Sequence, residues 1–135
     1  MVDLGTRGAE LLLELKIITR FAAAHQLKMV AKQCENLHGH NWKIEVCLKG
    51  DTLNNAGVLI DFGEIKQHVG KIIESLDHKF LNELPFFQNG NPSSENVAQY
   101  IAKELQKVIK ESSSRVARVC ARESDDACAT YIAPD

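Results

Sequence analysis

Three histidines in the first part of the chain have the spacing of a metal site. His38 and His40 are separated by one glycine in the stretch CENLHGH. Alternate side chains of an extended segment point to the same face, so both imidazoles can bind one ion. His25 ends the preceding stretch FAAAH, and a hairpin would bring it alongside the pair. Three histidines match a catalytic zinc site, in which the fourth position stays open for water or substrate.

Each of these histidines also has an ordinary interpretation. His38 and His40 are polar residues of a type found in loops, and His25 is acceptable as a hydrogen-bonded histidine at a strand end. A single histidine would favour that interpretation, but the closely spaced pair with a third upstream favours a metal. His68 lies beside the apolar stripe of a predicted helix, and we interpret it as a surface residue.

Cys34 precedes the histidine pair and has two possible roles. As a fourth ligand it would close the site and make it structural. As a free thiol beside the metal it would be activated, because a nearby cation favours the thiolate. The spacing of the residues alone leaves both roles open.

Two further groups have residue types that suit chemistry. In SLDHKFLN, Asp77 stands beside His78, where an acid can orient an imidazole and raise its basicity. The dipeptide alone favours another interpretation, a helix C-terminus stabilised by a histidine. Glu123 shares a predicted strand face with alanine and valine, where a carboxylate is costly unless paired. It would suit a ligand with two adjacent N–H donors, or the strand has ended in solvent.

The elements that must position these residues form an α+β pattern. Alternating apolar residues predict strands in the segments 13–25, 42–49, 115–123 and 129–132. Helical periodicity begins after Asp61, and a second helix can be capped by Ser93 or Ser94. The order ββααββ predicts a four-stranded antiparallel sheet with both helices on one face.

Composition limits the class of protein. The 135 residues suit a single domain spanning residues 1–135, with residues 1–10 expected to form a flexible extension. A formal net charge of -2 argues against a nucleic-acid partner. The acidic residues in the amino-terminal stretch argue against a signal peptide or a membrane span, so we expect a cytoplasmic protein with reduced thiols.

Six short motifs resemble the 6-pyruvoyl-tetrahydropterin synthase family. They are FAAAH, CENLHGHNW, VLIDFGEIK, LDHKFLN, NPSSENVA and ARES, spread in order across residues 17–123. The resemblance implies the tunnelling fold, in which sheets join around a trimer into a barrel and two trimers often stack as a hexamer. It also implies a homo-oligomer with active sites at the subunit interfaces.

The resemblance also assigns roles to individual residues. It implies a Zn²⁺ ion held by His25, His38 and His40, with Cys34 as a catalytic thiol. It further implies that Asp77 and His78 are a second acid/base unit and that Glu123 anchors the amino-pyrimidine edge of a pterin. Ser93 and Ser94 fall where relatives have threonines that contact the pterin.

The activity implied is a zinc-dependent lyase acting on 7,8-dihydroneopterin triphosphate. Three residues separate Cys34 from His38, which resembles the carboxy-forming branch of queuosine biosynthesis; the pyruvoyl-forming branch has five. The expected products are 6-carboxy-5,6,7,8-tetrahydropterin, acetaldehyde and triphosphate. The alternative is pyruvoyl-forming activity on the same substrate.

Two hypotheses of other kinds compete with a pterin enzyme. In the first, Cys34 and the three histidines all bind zinc in a non-catalytic binding module, which leaves no position for substrate. In the second, Cys34, His78 and Asp77 form a cysteine hydrolase, which would leave the histidine pair without a purpose.

Overall fold

The computed structural model describes residues 12–28, 36–110 and 113–135. Cys34 and the expected extension at residues 1–10 lie outside this part of the chain. The strands and α-helices in chain order are β1 (Leu13–His25), β2 (His38–Gly50), α1 (Phe62–Glu74), β3 (Lys79–Phe80), α2 (Ser94–Val108), β4 (Ser114–Ser124) and β5 (Ala127–Ile132). The expected α+β class is confirmed.

The sheet has five strands in the order β3-β1-β2-β4-β5. The four predicted strands pair antiparallel, but β3 adds a short parallel pairing with β1, at Ala23 and Ala24. The predicted four-stranded antiparallel sheet is therefore one strand short. Two residues are too few to show a strand period, so the pattern of the sequence could not predict β3.

Both helices begin at side chains that cap them. Asp61 Oδ2 accepts a hydrogen bond from the Glu64 backbone N–H at 3.1 Å, and Ser93 Oγ accepts one from the Asn96 N–H at 3.2 Å. Each cap satisfies a backbone donor that the first helical turn leaves unpaired. Ser93 is thus the cap of α2, which leaves the hydroxyl of Ser94 available for another contact.

The apolar faces of the helices and the sheet form one core. Its fully buried members include Trp42, Ile44, Val46, Leu48, Ile65, Leu76, Leu81, Val97, Ile101 and Leu105. The even-numbered residues of β2 from Trp42 to Leu48 all face this core, as the alternation predicts. His38 and His40 continue the same series, so β2 directs both imidazoles to the helical side of the sheet.

The fourth strand departs from simple alternation. The pairing of β4 with β2 shifts by one residue at Ala117, because Val116 pairs with Leu48 while Arg118 pairs with Cys47. The extra residue is a β-bulge, and it places both Val116 and Val119 in the core. Simple alternation along the predicted strand 115–123 would place these two valines on opposite faces, which is wrong because a bulge leaves no period-two signature.

Within the described residues, none of the helices combines the length and the apolar character needed to span a bilayer.

Candidate metal centre and substrate site

The β1–β2 hairpin brings the first two histidines together. His25 and His38 are direct partners in the antiparallel register, and their Nε2 atoms lie 3.1 Å apart. His40 follows on the same face of β2, with its ring centroid 5.1 Å from that of His25 and 4.4 Å from that of His38. The three imidazoles that the sequence singled out therefore form one cluster.

Glu123 of β4 completes this cluster. Its Oε1 lies 3.5 Å from His25 Nε2, and its Oε2 lies 3.3 Å from His40 Nε2. One ligand atom from each of His25, His38, His40 and Glu123 lies within 4.8 Å of the other three. Four residues from three adjacent strands thus converge on one point at the end of the sheet.

Backbone carbonyls fix the orientation of two imidazoles. His25 Nδ1 lies 2.7 Å from the Pro92 carbonyl oxygen, and His38 Nδ1 lies 2.7 Å from the Asn36 carbonyl oxygen. A carbonyl can only accept, so each Nδ1 carries the proton and donates it. Each Nε2 is then the lone-pair nitrogen, and both face the centre of the cluster. This arrangement is the usual support of a metal-binding histidine.

The donor set fits a zinc ion. Tetrahedral coordination with Zn–N bonds of about 2.0–2.1 Å places neighbouring ligand atoms about 3.3 Å apart. The Nε2 separation of 3.1 Å and the oxygen-to-nitrogen distances of 3.3 and 3.5 Å match that spacing. Imidazole nitrogen and carboxylate oxygen are also ligands that zinc accepts.

An apolar floor supports the cluster. Trp42 is fully buried, and its ring lies edge-on to the rings of His25 and His40, with centroids 5.1 and 5.7 Å away. Its indole N–H donates to the Ala23 carbonyl at 3.3 Å, and Phe21 stacks on it with a centroid distance of 5.7 Å. His25 has no exposed surface. Such packing restricts movement of the imidazoles.

Asp77 and His78 occupy a different place, at the outer edge of β1. Asp77 Oδ1 accepts the Ala22 backbone N–H at 2.9 Å, while its Oδ2 lies 3.0 Å from His78 Nδ1. The hydrogen bond from Ala22 lowers the pKa of Asp77, as does the neighbouring His78. The carboxylate therefore holds Nδ1 as a donor and leaves His78 Nε2 to exchange protons.

The backbone of His78 is strained into the left-handed region. Its φ is +58°, and its N–H donates to the Ala22 carbonyl at 2.6 Å. A residue other than glycine in this conformation costs free energy, and such strain is common at functional sites. The imidazole is 80% exposed. It also lines an open cleft, of about 530 Å³, that His40 borders.

The remaining predicted residues divide into three cases. Ser94 Oγ donates to Glu123 Oε1 at 2.9 Å, so Ser94 belongs to the cluster. Ser93 lies next to it but serves as the cap of α2. Cys34 falls outside the described residues, so its position relative to the histidines stays a prediction.

Sequence reasoning missed the residues that support the cluster from behind. The Asn91 side chain accepts the Lys28 N–H at 2.7 Å and donates to the Lys28 carbonyl at 2.6 Å. Asn96 Nδ2 donates to the Asn91 carbonyl at 2.7 Å. These bonds hold the chain next to Pro92, whose carbonyl orients His25. The motif NPSSEN contains both asparagines, and it is the sequence feature that could have indicated their supporting role.

The fold and the site define a class: an α+β protein with a cluster of three histidines and a carboxylate at one end of a mixed sheet. The family model described as 6-pyruvoyl tetrahydropterin synthase matches residues 14–134. The chain therefore belongs to the 6-pyruvoyl tetrahydropterin synthase family, and the resemblance inferred from the motifs is confirmed.

Relatives within this family carry different names. A protein of Archaeoglobus fulgidus with the provisional name 6-carboxy-5,6,7,8-tetrahydropterin synthase is 37% identical over 110 residues, covering 82% of this chain and 87% of its own. A dihydroneopterin monophosphate aldolase of Pyrococcus furiosus is 34% identical over 97 residues, covering 70% and 78%. The solved 6-pyruvoyl tetrahydropterin synthase of Caenorhabditis elegans superposes with a TM-score of 0.80 at 25% identity, covering 91% and 96%.

Proposed function

We propose that this protein is a zinc-dependent lyase that converts 7,8-dihydroneopterin triphosphate and water into 6-carboxy-5,6,7,8-tetrahydropterin, acetaldehyde and triphosphate. The observation that carries the proposal is the convergence of the His25, His38 and His40 imidazoles in a protein of this family. The three-residue spacing between Cys34 and His38 favours the carboxy product. The name of the Archaeoglobus relative supports the same choice.

The reaction requires no external oxidant or reductant. The pterin ring gains the hydrogen that the side chain loses, and the substrate's own carbon–carbon bond breaks to release acetaldehyde. A zinc ion bound by the three histidines would polarise the side-chain oxygens of the substrate and make the adjacent C–H protons more acidic. The residues of the chain then have two tasks, which are to hold the pterin and to move protons.

Glu123 and Ser94 are suited to hold the pterin. A carboxylate accepts two parallel N–H bonds, which matches the 2-amino group and the adjacent ring N–H of a pterin. Ser94 fixes one oxygen of that carboxylate through its 2.9 Å hydrogen bond. We assign Ser93 to the same subsite, next to Ser94 at the start of α2.

Cys34 and the Asp77–His78 pair are suited to move protons. His78 exposes an Nε2 atom that can accept or release a proton, while Asp77 fixes the tautomer through Nδ1 at 3.0 Å. We assign Cys34, as a thiolate, as the second proton-transfer group. With Cys34 in this role, the metal does not need the thiol as a ligand.

The protein is expected to act as a homo-oligomer in the cytoplasm and to supply queuosine biosynthesis. We propose a trimer, or two stacked trimers, with active sites at the subunit interfaces. Light scattering coupled to gel filtration tests the assembly directly. A monomer at micromolar concentration would contradict this part of the proposal.

Two relatives set the alternatives for the reaction itself. The Caenorhabditis structure suggests a 6-pyruvoyl product from the same substrate, and the Pyrococcus relative suggests aldol cleavage of a monophosphate. Purified zinc-loaded protein should therefore be given dihydroneopterin triphosphate and the monophosphate in separate reactions, with products identified by mass spectrometry. The carboxy pterin together with acetaldehyde supports the proposal. A pyruvoyl product, or turnover of the monophosphate alone, contradicts it.

A further inference from the structure

The carboxylate of Glu123 lies between the imidazoles of the metal cluster. Its Oε1 lies 3.5 Å from His25 Nε2, and its Oε2 lies 3.3 Å from His40 Nε2. A group that only anchored a substrate beyond the metal would not need to approach both nitrogens. The family's pattern assigns this glutamate to the pterin and not to the metal.

We propose that Glu123 is the fourth protein ligand of the metal when no substrate is bound, and that it leaves the metal when a pterin binds. The inference rests on the metal site of the proposed function. A carboxylate oxygen at about 2.0–2.2 Å from zinc would lie about 3.4 Å from each imidazole nitrogen in a tetrahedral site. The distance of 3.3 Å between Glu123 Oε2 and His40 Nε2 agrees with that value, while the other oxygen, Oε1, lies 3.5 Å from His25 Nε2.

Ser94 favours coordination through a single oxygen. Its hydroxyl donates to Glu123 Oε1 at 2.9 Å, which satisfies part of that oxygen's hydrogen-bonding capacity. Among the described residues, no hydroxyl donates to Oε2, which faces His40. The hydrogen bond therefore presents Oε2 as the metal-binding atom. It also gives the carboxylate a second anchor when it exchanges the metal for the pterin.

The backbone at Glu123 gives this side chain freedom to change partners. Arg122 pairs with Lys43 on one side and with Cys128 on the other, but the next pairing with β5 is made by Ser124. Glu123 is thus the extra residue of a second β-bulge. Bulges redirect a side chain and interrupt the ladder locally. Glu123 can therefore move without breaking the pairs on either side of it.

If Glu123 exchanges the metal for the pterin, binding of the pterin also opens a coordination position on the metal. The N–H donors of a pterin compete with the metal for the same carboxylate oxygens. When Glu123 moves to the pterin, a coordination position becomes vacant for the oxygens of the substrate's side chain. Small anions without such donors would meet a site that stays closed.

The test uses the full protein loaded with Co²⁺, whose visible absorption reports changes in coordination. Three variants are compared with the wild type: Glu123→Gln, Glu123→Ala, and the control Asp126→Asn, which changes an exposed carboxylate in the β4–β5 turn. Each protein is titrated with Co²⁺, then with azide, and separately with biopterin. Circular dichroism of each metal-free protein checks that the fold is retained.

The expected result is a loss of metal affinity in both Glu123 variants. Replacing groups that only orient metal ligands weakens binding by about 10- to 100-fold, so loss of a direct ligand should weaken it by at least about tenfold. Azide should bind at least about tenfold more tightly to the loaded Glu123→Ala protein than to the wild type, because a ligand position is then open. Biopterin should change the Co²⁺ spectrum of the wild type.

Unchanged metal affinity and unchanged azide affinity in the Glu123 variants would overturn the inference. A wild-type spectrum that does not respond to saturating biopterin would overturn the exchange. These outcomes are separate from the proposed function, which is judged by the products formed from dihydroneopterin triphosphate. A wild type that turns over substrate with Glu123 off the metal would refute only the inference, and a closed four-ligand site without turnover would refute only the function.

Discussion

His25 and His38 face each other across the β1–β2 hairpin, and their Nε2 atoms are 3.1 Å apart. Both Nδ1 atoms donate to carbonyls, so both facing nitrogens carry lone pairs. Two lone pairs at this distance repel each other unless a cation or a proton lies between them. The pair is therefore arranged for a positive charge, and the third imidazole and the Glu123 carboxylate surround the same point.

Removing one of the facing imidazoles should reduce metal binding and activity together. In His38→Ala we expect metal content well below the value of about one ion per chain for the wild type, because only two imidazoles then remain. His68→Ala is the matched control, since His68 is a partly exposed histidine of α1 whose Nε2 lies 4.0 Å from Glu64 Oε1. Elemental analysis after gel filtration gives the stoichiometry. Full metal occupancy in His38→Ala would contradict the predicted metal site.

Replacement of Asn91 should lower the metal affinity, although Asn91 is not a metal ligand. Its side chain is bonded to both backbone groups of Lys28, and it directly precedes Pro92, whose carbonyl orients His25. Loss of such indirect support lowers metal affinity by about 10- to 100-fold, and we expect the lower end for Asn91→Ala. Competition with a chromophoric chelator measures the affinity.

The control for this prediction is Asn89→Ala, which alters an exposed asparagine in the same loop. Its metal affinity should equal that of the wild type. If Asn91→Ala also retained wild-type affinity, the Pro92 carbonyl would be held by the surrounding chain alone.

The parts of the fold that produce a regular hydrophobic pattern in the sequence were predictable. Alternation located β1 and β2 and placed His38 and His40 on one face. Asp61 and its hydrogen bond to Glu64 confirm the predicted start of α1. These features depend on local periodicity and on side chains near their own backbone, which the sequence displays directly.

The parts that depend on distant backbone were not predictable. The carbonyls of Asn36 and Pro92 orient two ligands, but any residue type supplies a carbonyl. The bulges at Ala117 and Glu123 shift the pairing register of the strands, and the pattern of residue types in the sequence does not signal either bulge. The sequence singled out Glu123 for its unusual face, yet its approach to two imidazoles depends on how three strands meet.

Asp77→Asn should change stability in a pH-dependent way. The Ala22 N–H and then His78 favour the charged form and hold the pKa of Asp77 below its ordinary value of about 3.9. A lowered pKa in the folded state means that the carboxylate stabilises the fold above the ordinary pKa. That contribution is lost as the pH falls through the lowered pKa.

Urea denaturation of the wild type and the Asp77→Asn variant at several pH values measures this effect. The wild type should be the more stable protein at neutral pH, and the difference should shrink toward zero as the pH falls below about 4. His78→Ala is a useful companion, because it removes the imidazole but keeps the bond from Ala22 to Asp77. A stability difference independent of pH would show that the charge of Asp77 has no role.

Replacing Cys34 should separate catalysis from metal binding. Four ligand groups are already present in the described residues, from His25, His38, His40 and Glu123, so the ion does not require the thiol. Cys34→Ala should therefore keep full metal content. A proton-transfer group contributes about 10²- to 10⁴-fold to turnover, and we expect a loss in that range.

The other thiols provide the control for Cys34. Cys128 is exposed, and Cys128→Ser should leave both metal content and turnover at wild-type values. Burial raises the pKa of the Cys47 and Cys120 thiols, so both should react slowly with iodoacetamide at neutral pH. In the Cys128→Ser protein, rapid alkylation that abolishes turnover should then map to Cys34 by mass spectrometry. Loss of the metal together with activity in Cys34→Ala would instead identify the thiol as a ligand and favour the structural module.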